Sequence, residues 1–508
     1  MTLREKIGQR LVGGFPGKEM SEEFIELVKD YKVSNVILFQ HNVESKEQLS
    51  RLCRDIQTLV RKETGHGALI CIDQEGGTVT RLPEDAVNVP GAMALAATGS
   101  EENAYRAARI TAGELKALGV NFNLAPTADV NNNPDNPIIG VRSFSDKPEV
   151  ARGYVVAAVK GYADGGVLSS IKHFPGHGDT SMDSHVSLPM IDKSMEELEA
   201  MELIPFKAAI EAGCPTVMTT HILFPQLESE EIPATMSRTI ITGLLKEKLG
   251  FQGIVISDCM EMDAISKYYG TVRGVVEAMA AGVDLVLVSH TAKTLKDVAE
   301  AVYAAAEEGR LSMEEMDASA QKILRCKEIY CIEPTGEAGT PQAMAEAAAL
   351  RSRTITLYQG QIPPMGDNPV FLGCAGYRSG FVSNQKSGED TFAGYMASRF
   401  GGTALVTEKD PDSDAVRTAV EAAKGHSAIF VNTYNGHLSP GQLTLVHELT
   451  GLGIPMAVIA LRNPYDLRNL PQSVAAIAAW DYSRPTLEAL APILSGEQAA
   501  EGKMPIAL

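Results

Sequence analysis

The chain has 508 residues, 44% of them hydrophobic and 21% charged, with a net charge of −19 and a pI near 5.1. That length exceeds what one hydrophobic core supports, so two or more domains are expected. A surface this acidic repels nucleic acid and anionic lipid, which argues against both as partners. The opening MTLREKIGQRLVGGF has no basic stretch followed by an apolar core, so no signal peptide is expected. No apolar run reaches the roughly eighteen residues of a membrane span. Seven cysteines are scattered without a CxxC pair, and Cys326 and Cys331 have no second pair to complete a zinc site. Free, mostly buried thiols in a reducing, cytoplasmic compartment are the expectation.

Along the first 330 residues, short β-type runs alternate with amphipathic stretches. Eight strands are predicted, at 11–14, 36–39, 69–73, 122–125, 167–172, 217–221, 254–258 and 285–288. Several are continuous apolar runs, as in parallel strands buried on both faces. Helices are predicted between them at 22–32, 46–63, 104–118, 150–164, 195–212 and 239–249. Repeated βα units over this length predict a (β/α)8 TIM-like barrel, with an open doubly wound sheet as the competing arrangement. Ionisable groups favour the barrel: Asp73, Asp129, Lys172, His173, His221, Asp258 and His290 all fall at or just beyond strand ends. Barrels carry their chemistry at the carboxyl ends of their strands.

Residues 333–342, EPTGEAGTPQ, are rich in Gly, Pro and Thr and read as a linker. The barrel is therefore assigned to 1–332 and a smaller doubly wound α/β sandwich domain to 343–508. Its strands are predicted at 370–373, 403–406, 428–431, 456–460 and 474–479, with helices at 414–423 and 442–449.

Three segments carry chemistry. The densest is KHFPGHGDTSMDSH, residues 172–185, with three of the ten histidines. Its Gly and Pro residues make it an irregular loop. Asp183 and His185 stand two apart, a spacing at which the carboxylate can fix one imidazole nitrogen and leave the other for proton transfer near neutral pH. Spacing alone also admits a divalent-metal site from His173, His177, Asp183 and His185, or a solvated loop without a role. The second segment, FQGIVISDCMEMD from 251, ends a buried strand in Ser-Asp. A carboxylate there suits a nucleophile that attacks an anomeric carbon. Capping of the following helix is the alternative use for Asp258. The third, CIDQEGGTVTRL from 71, offers Asp73 and Arg81 around a Gly-Gly turn. Such a pair could bind vicinal sugar hydroxyls or could simply be a structural ion pair. Arg142, after a Pro/Asn-rich loop, could reach the same pocket.

Taken together, the three segments resemble glycoside hydrolase family 3, in its bacterial β-N-acetylglucosaminidase branch. The Asp-Gln-Glu-Gly-Gly…Arg run, the Lys-His-Phe-Pro-Gly-His-Gly…Asp-Ser-His signature and the Ser-Asp strand end occur in the family's order over residues 1–330. The resemblance implies a retaining β-N-acetylglucosaminidase (β-N-acetylhexosaminidase) with Asp258 as nucleophile and His185 as acid/base, oriented by Asp183. It implies Asp73, Arg81, Arg142, Lys172 and His173 as ligands of the terminal sugar, and no metal or other cofactor. It makes β-linked N-acetylglucosaminides the substrates, from muropeptides in cell-wall recycling or from chitin or glycan fragments. A β-N-acetylglucosaminide phosphorylase, a β-glucosidase or β-xylosidase, and a catalytically dead sugar-binding protein are the rival readings. Cys259 stands where the branch often has a second Asp. The second domain is expected to be structural or to line the aglycone side, and the oligomeric state is not legible.

Overall fold

The computed structural model describes residues 1–181, 188–377 and 391–508. Asp183 and His185 therefore lie outside the described residues. Eight short strands form a closed parallel barrel: β1 (Leu11–Gly13), β2 (Asn35–Leu38), β3 (Leu69–Ile72), β4 (Phe122–Asn123), β5 (Leu168–Phe174), β6 (Thr216–Thr219), β7 (Ile254–Cys259) and β8 (Leu285–Val288). Each pairs with the next, and β8 returns to β1. All eight fall where the apolar runs placed them, and closure excludes the open-sheet arrangement. The interior is a packed core of Cys71, Phe122, Leu168, Met218, Ile256 and Leu287, among others. Burying each large apolar side chain stabilises the fold by about 1.5–3 kcal/mol.

Local chemistry explains most helix bounds. The helix Lys46–Thr64 starts where Ser45 accepts the Gln48 N–H at 3.2 Å and stops at Gly65, whose φ of 75° ends the right-handed winding. The barrel departs from the sequence reading most clearly at four places. The single helix predicted at 195–212 is two, Met195–Ala200 and Leu203–Glu211. Pro205 has no N–H for the Met201 carbonyl, and the break turns Glu202 fully inward. The helix predicted at 239–249 is a π-helix over Thr239–Lys248, with the Leu249 N–H reaching back five residues to Leu244 at 2.9 Å. β4 is cut to two residues just before Leu124-Ala125-Pro126, and Pro126 cannot join a ladder. β5 continues past its predicted end to include His173 and Phe174. Cis peptides occur at Ala125–Pro126, Lys172–His173 and Phe174–Pro175.

The remaining strands form a six-stranded sheet: β9 (Thr356–Gln359), β10 (Pro369–Cys374), β11 (Thr403–Thr407), β12 (Ala428–Thr433), β13 (Met456–Ala460) and β14 (Ala475–Ala478). Their order is β11-β10-β12-β13-β14-β9, parallel except that β9 runs antiparallel to β14. Two core clusters lie on its opposite faces. One is built with helices Ser413–Ala423 and Pro440–Thr450, the other with Phe392–Phe400 and Arg484–Leu494. This is the smaller doubly wound sandwich expected. Sequence reading missed β9 because this four-residue edge strand, with only Thr356 buried, has no apolar run. All seven cysteines are free, and six are buried. No helix among the described residues is long and apolar enough to cross a membrane.

Candidate active site

Two β-bulges shape the carboxyl end of the barrel. β5 takes the steps from Ile171 to Phe174 while β6 advances only from Val217 to Thr219. β7 likewise runs from Ile256 to Cys259 against Leu285 to Leu287 of β8. A bulge adds one residue, bends its strand and re-aims a side chain. The bulges fall at Lys172-His173 and at Ser257-Asp258, so the extra residues in both strands are the polar ones. Interior positions below them follow the strand period of two: Leu69 and Cys71 on β3, Leu168 on β5, Ile254 and Ile256 on β7. Asp73 and Asp258 are the next positions in those series and Lys172 follows Ser170 in its own, where the apolar core ends.

Lys172 is nearly fully buried, and its ammonium lies 2.7 Å from Asp73 Oδ1 and 2.7 Å from Glu75 Oε1. Glu75 is also held by Arg142 in a two-point contact, Nη2 to Oε1 at 2.8 Å and Nε to Oε2 at 2.9 Å. Two cations thus face two carboxylates, which keeps the desolvated cluster neutral. Burial pushes the Glu75 carboxyl up, but the Arg142 and Lys172 charges outweigh it and hold it well below the ordinary carboxylate range. Burial pulls the Lys172 ammonium down, but Asp73 and Glu75 outweigh it and raise it. Glu75, Lys172 and Arg142 are therefore charged at neutral pH, and with Asp73 they offer paired donors and acceptors of the kind that vicinal hydroxyls match.

Asp129 organises a second cluster. Its side chain is fully buried, and it accepts the His173 N–H at 3.1 Å, the His177 N–H at 2.7 Å and the His173 Nδ1 proton at 2.7 Å. With Nδ1 donating to Asp129, Nε2 is the ring nitrogen left to face other partners. His177 contacts Thr180 Oγ1 at 2.8 Å through Nδ1, and burial pushes its pKa down to about 4. It stays neutral at physiological pH, which suits a loop-shaping role. Asn136 Nδ2 donates to the His177 and Gly178 carbonyls, both at 2.9 Å, and pins this stretch to the barrel.

Asp258 is half-buried at the end of β7, and its Oδ1 accepts the Cys259 N–H at 2.7 Å. The strand end is held from β6, since His221 Nε2 contacts the Cys259 carbonyl at 3.0 Å. The following helix Asp263–Ser266 takes Met262 as its N-cap, so Asp258 does not cap it. Arg81 is buried, and its backbone N–H donates to Gln74 Oε1 at 2.7 Å. Gln74 in turn spans to Asn123, whose Oδ1 takes the Gln74 N–H at 2.9 Å.

Asp73, Arg142 and Lys172 are thus brought into one ionic cluster, and His173 into a neighbouring one. Asp258 ends a bulged strand of the same barrel. Glu75 and Asp129 are the site residues to which sequence reasoning gave no role. Glu75 lies inside the quoted Asp-Gln-Glu-Gly-Gly run and Asp129 at a noted strand end, but neither position shows which distant side chains it holds. Among the described residues, no group of three or more His, Cys, Asp or Glu side chains is placed to hold a metal ion. Two of the four ligands weighed for a metal, Asp183 and His185, lie outside those residues.

Comparison with known proteins bears on the family and the fold. The family described as "Glycosyl hydrolase family 3 N terminal domain" matches residues 2–326. Beta-hexosaminidase A of Pseudoalteromonas piscicida is 30% identical over 95% of this chain and 90% of that protein. A beta-hexosaminidase of Stenotrophomonas maltophilia (strain K279a) is 35% identical over 55% of this chain and 83% of that protein. Among solved structures, a glycoside hydrolase family 3 beta-N-acetylglucosaminidase from Paenibacillus sp. str. FPU-7 superposes with a TM-score of 0.93 at 37% identity, covering 100% of this chain and 99% of that one.

Proposed function

The chain belongs to glycosyl hydrolase family 3, and from that premise we propose that it is a retaining β-N-acetylglucosaminidase acting on terminal β-linked N-acetylglucosamine. The observation that carries this reading is the neutral, buried Asp73–Lys172–Glu75–Arg142 cluster at the carboxyl end of a barrel whose β7 bulge ends in Asp258. The names of the full-length relatives support the sugar.

In the proposed reaction Asp258 attacks the anomeric carbon and forms a glycosyl ester, while His185 gives its proton to the leaving oxygen. His185, now neutral, takes a proton from water, which releases the sugar with its configuration retained. Asp183 orients the imidazole. Asp73, Arg81, Arg142, Lys172 and His173 hold the sugar hydroxyls, and Glu75 and Asp129 hold those ligands in place. Soluble fragments of cell wall, chitin or glycan are the proposed substrates. The seven free thiols support a cytoplasmic site of action.

A panel of aryl β-glycosides, run with and without phosphate, tests the reading. Phosphate-independent release from the N-acetylglucosaminide, well above the glucoside and xyloside, is expected. Strict phosphate dependence would make the enzyme a phosphorylase. Asp258→Ala is expected to lose at least about a thousandfold in kcat, as when a covalent nucleophile is removed. Undiminished turnover by that variant would remove Asp258 from the role.

A further inference from the structure

The Glu75–Arg142 pair has an unusual setting. Its side chains are only 7% and 3% exposed, so the pair is productive only with accurate geometry. Neither residue sits on a strand. Glu75 belongs to the turn closed by the Glu75 and Gly76 N–H groups on the Val79 carbonyl, both at 3.0 Å, and Arg142 ends the short 3₁₀ turn Gly140–Arg142. The barrel ladder therefore fixes neither one.

Lys172 on β5 and the Asn131 and Asn136 amides hold them from the barrel side, and further contacts come from the second sheet unit. Asn463, just beyond β13, accepts the Val141 N–H on Oδ1 at 3.0 Å and donates Nδ2 to Asn435 Oδ1 at 3.0 Å. Its amide lies directly on the 3₁₀ turn: a Cβ at Gly140 would fall 2.4 Å from Asn463 Oδ1, and Gly140 has a φ of 44°. Tyr465 accepts Asn131 Nδ2 on its hydroxyl at 2.7 Å, and Asn131 Oδ1 accepts the Gly140 N–H at 2.9 Å. Behind Tyr465, His437 packs edge-on at 5.4 Å, its ring fixed by Asp466 Oδ1 at 2.8 Å from Nδ1.

The Glu75 turn is backed in the same way. Trp480, at the end of β14, has a φ of 73° and lines a cavity together with Glu75, Gly76, Gly77 and Arg142. Its indole N–H is anchored on the Thr354 carbonyl at 2.7 Å. Next to it, Asp481 pairs with Arg351 at 3.0 Å, and Arg351 donates to the Asn88 carbonyl of the barrel at 2.9 Å. Asn88 adjoins Val89, whose carbonyl accepts the Gly77 N–H at 3.0 Å. A non-glycine residue in a positive-φ conformation is held only where its surroundings over-determine it. Here those surroundings are the Thr354 carbonyl and an apolar cluster with Met93, Ala94 and Val141 of the barrel, beside the cavity that Glu75 and Arg142 also line.

We infer that the second sheet unit is a positioning element for sugar binding: Asn463 and Trp480 hold the Arg142 and Glu75 turns, and through them the ligands of the terminal sugar. This rests on the proposed function for its substrate. It differs from an aglycone role because the contacts reach the glycone-binding ion pair from behind.

The test uses the full chain with Asn463→Ala, Asn463→Asp, Tyr465→Phe and Trp480→Phe. On an aryl β-N-acetylglucosaminide, Asn463→Ala is expected to raise KM about tenfold, the scale of one lost buried hydrogen bond, with kcat changed far less. Asn463→Asp keeps an acceptor for the Val141 N–H, while the Asn435 amide turns over to donate, so it should recover most of the loss. Tyr465→Phe and Trp480→Phe should shift KM in the same direction by less. Amide exchange at Val141 is expected to quicken in Asn463→Ala and to return in Asn463→Asp. An unchanged KM in folded Asn463→Ala overturns the inference, as does a fall in kcat at constant KM. A variant that unfolds hands the same decision to Tyr465→Phe and Trp480→Phe. If the parent cleaves no N-acetylglucosaminide, the functional reading fails on its own. The positioning inference then stands or falls on the Val141 exchange rate, since unchanged exchange would overturn it.

Discussion

Glu75 shows how a single carboxylate can serve stability and binding together. It neutralises Lys172 and Arg142 at contacts of 2.7 and 2.8 Å. Its folded pKa lies below the unfolded value of about 4.3. The stabilisation it brings is therefore complete above that pH and is lost as pH falls from there through the depressed folded value. Glu75→Gln leaves two buried cations facing one carboxylate, a change expected to cost about 3–5 kcal/mol. It should also flatten the acid side of the stability curve between about pH 2 and 4. Thermal melts of parent and variant across that range check both. At this scale the sequence offered the proposed sugar ligands but not the side chains they pair with. Asp73, Arg142 and Lys172 were legible as polar residues at strand ends or after turns. Glu75 and Asp129 were not assigned, because their importance lies in partners 67 and 44 positions away.

Among the elements, the two bulges matter most. β5 and β7 flank β6, and each spends its extra residue where a polar side chain is needed. The stretch after β5 is seated with no spare room. A Cβ at Gly178 would lie 1.6 Å from the Val130 carbonyl oxygen, and one at Gly176 would lie 2.7 Å from the Glu202 side chain. Gly178→Ala must therefore displace backbone rather than a flexible side chain. It is expected to cost about 1–3 kcal/mol or more, with loss of activity, read from the melting temperature and from turnover. Apolar periodicity located all eight barrel strands and most helix spans. It could not show the bulges, which are properties of a strand and its neighbour, nor the π-winding of Thr239–Lys248, which side-chain spacing barely distinguishes from an α-helix.

Across the whole molecule, the barrel and the second sheet share polar contacts, of which Asn463–Val141 is buried and Arg351–Asn88 and Ser145–Pro505 are part-buried. Arg351 reaches Asn88, Asn463 reaches Val141, the Lys503 N–H donates to the Ala97 carbonyl at 2.7 Å and Ser145 Oγ donates to the Pro505 carbonyl at 2.6 Å. Opening the two units apart would leave these groups unpaired, at a cost of about 1–3 kcal/mol each where no water replaces the partner. Calorimetry is accordingly expected to show one cooperative transition. Two resolved transitions would mean that the units unfold independently.

By itself the amino-acid order determined the alternation of strands and helices, the two-part organisation, the family, and most of the residues proposed for the sugar site. Those properties are written locally, in apolar periods, glycine-rich turns and contiguous motifs. Only the tertiary structure decided that the sheet closes, that β9 adds an antiparallel edge, that Glu75 pairs with Arg142 and Lys172 and Asp129 with His173, and that Asn463 meets the Val141 N–H. Each of these depends on side chains far apart in the chain meeting in a buried, low-dielectric space, where pairing is strong and an unmet polar group is costly.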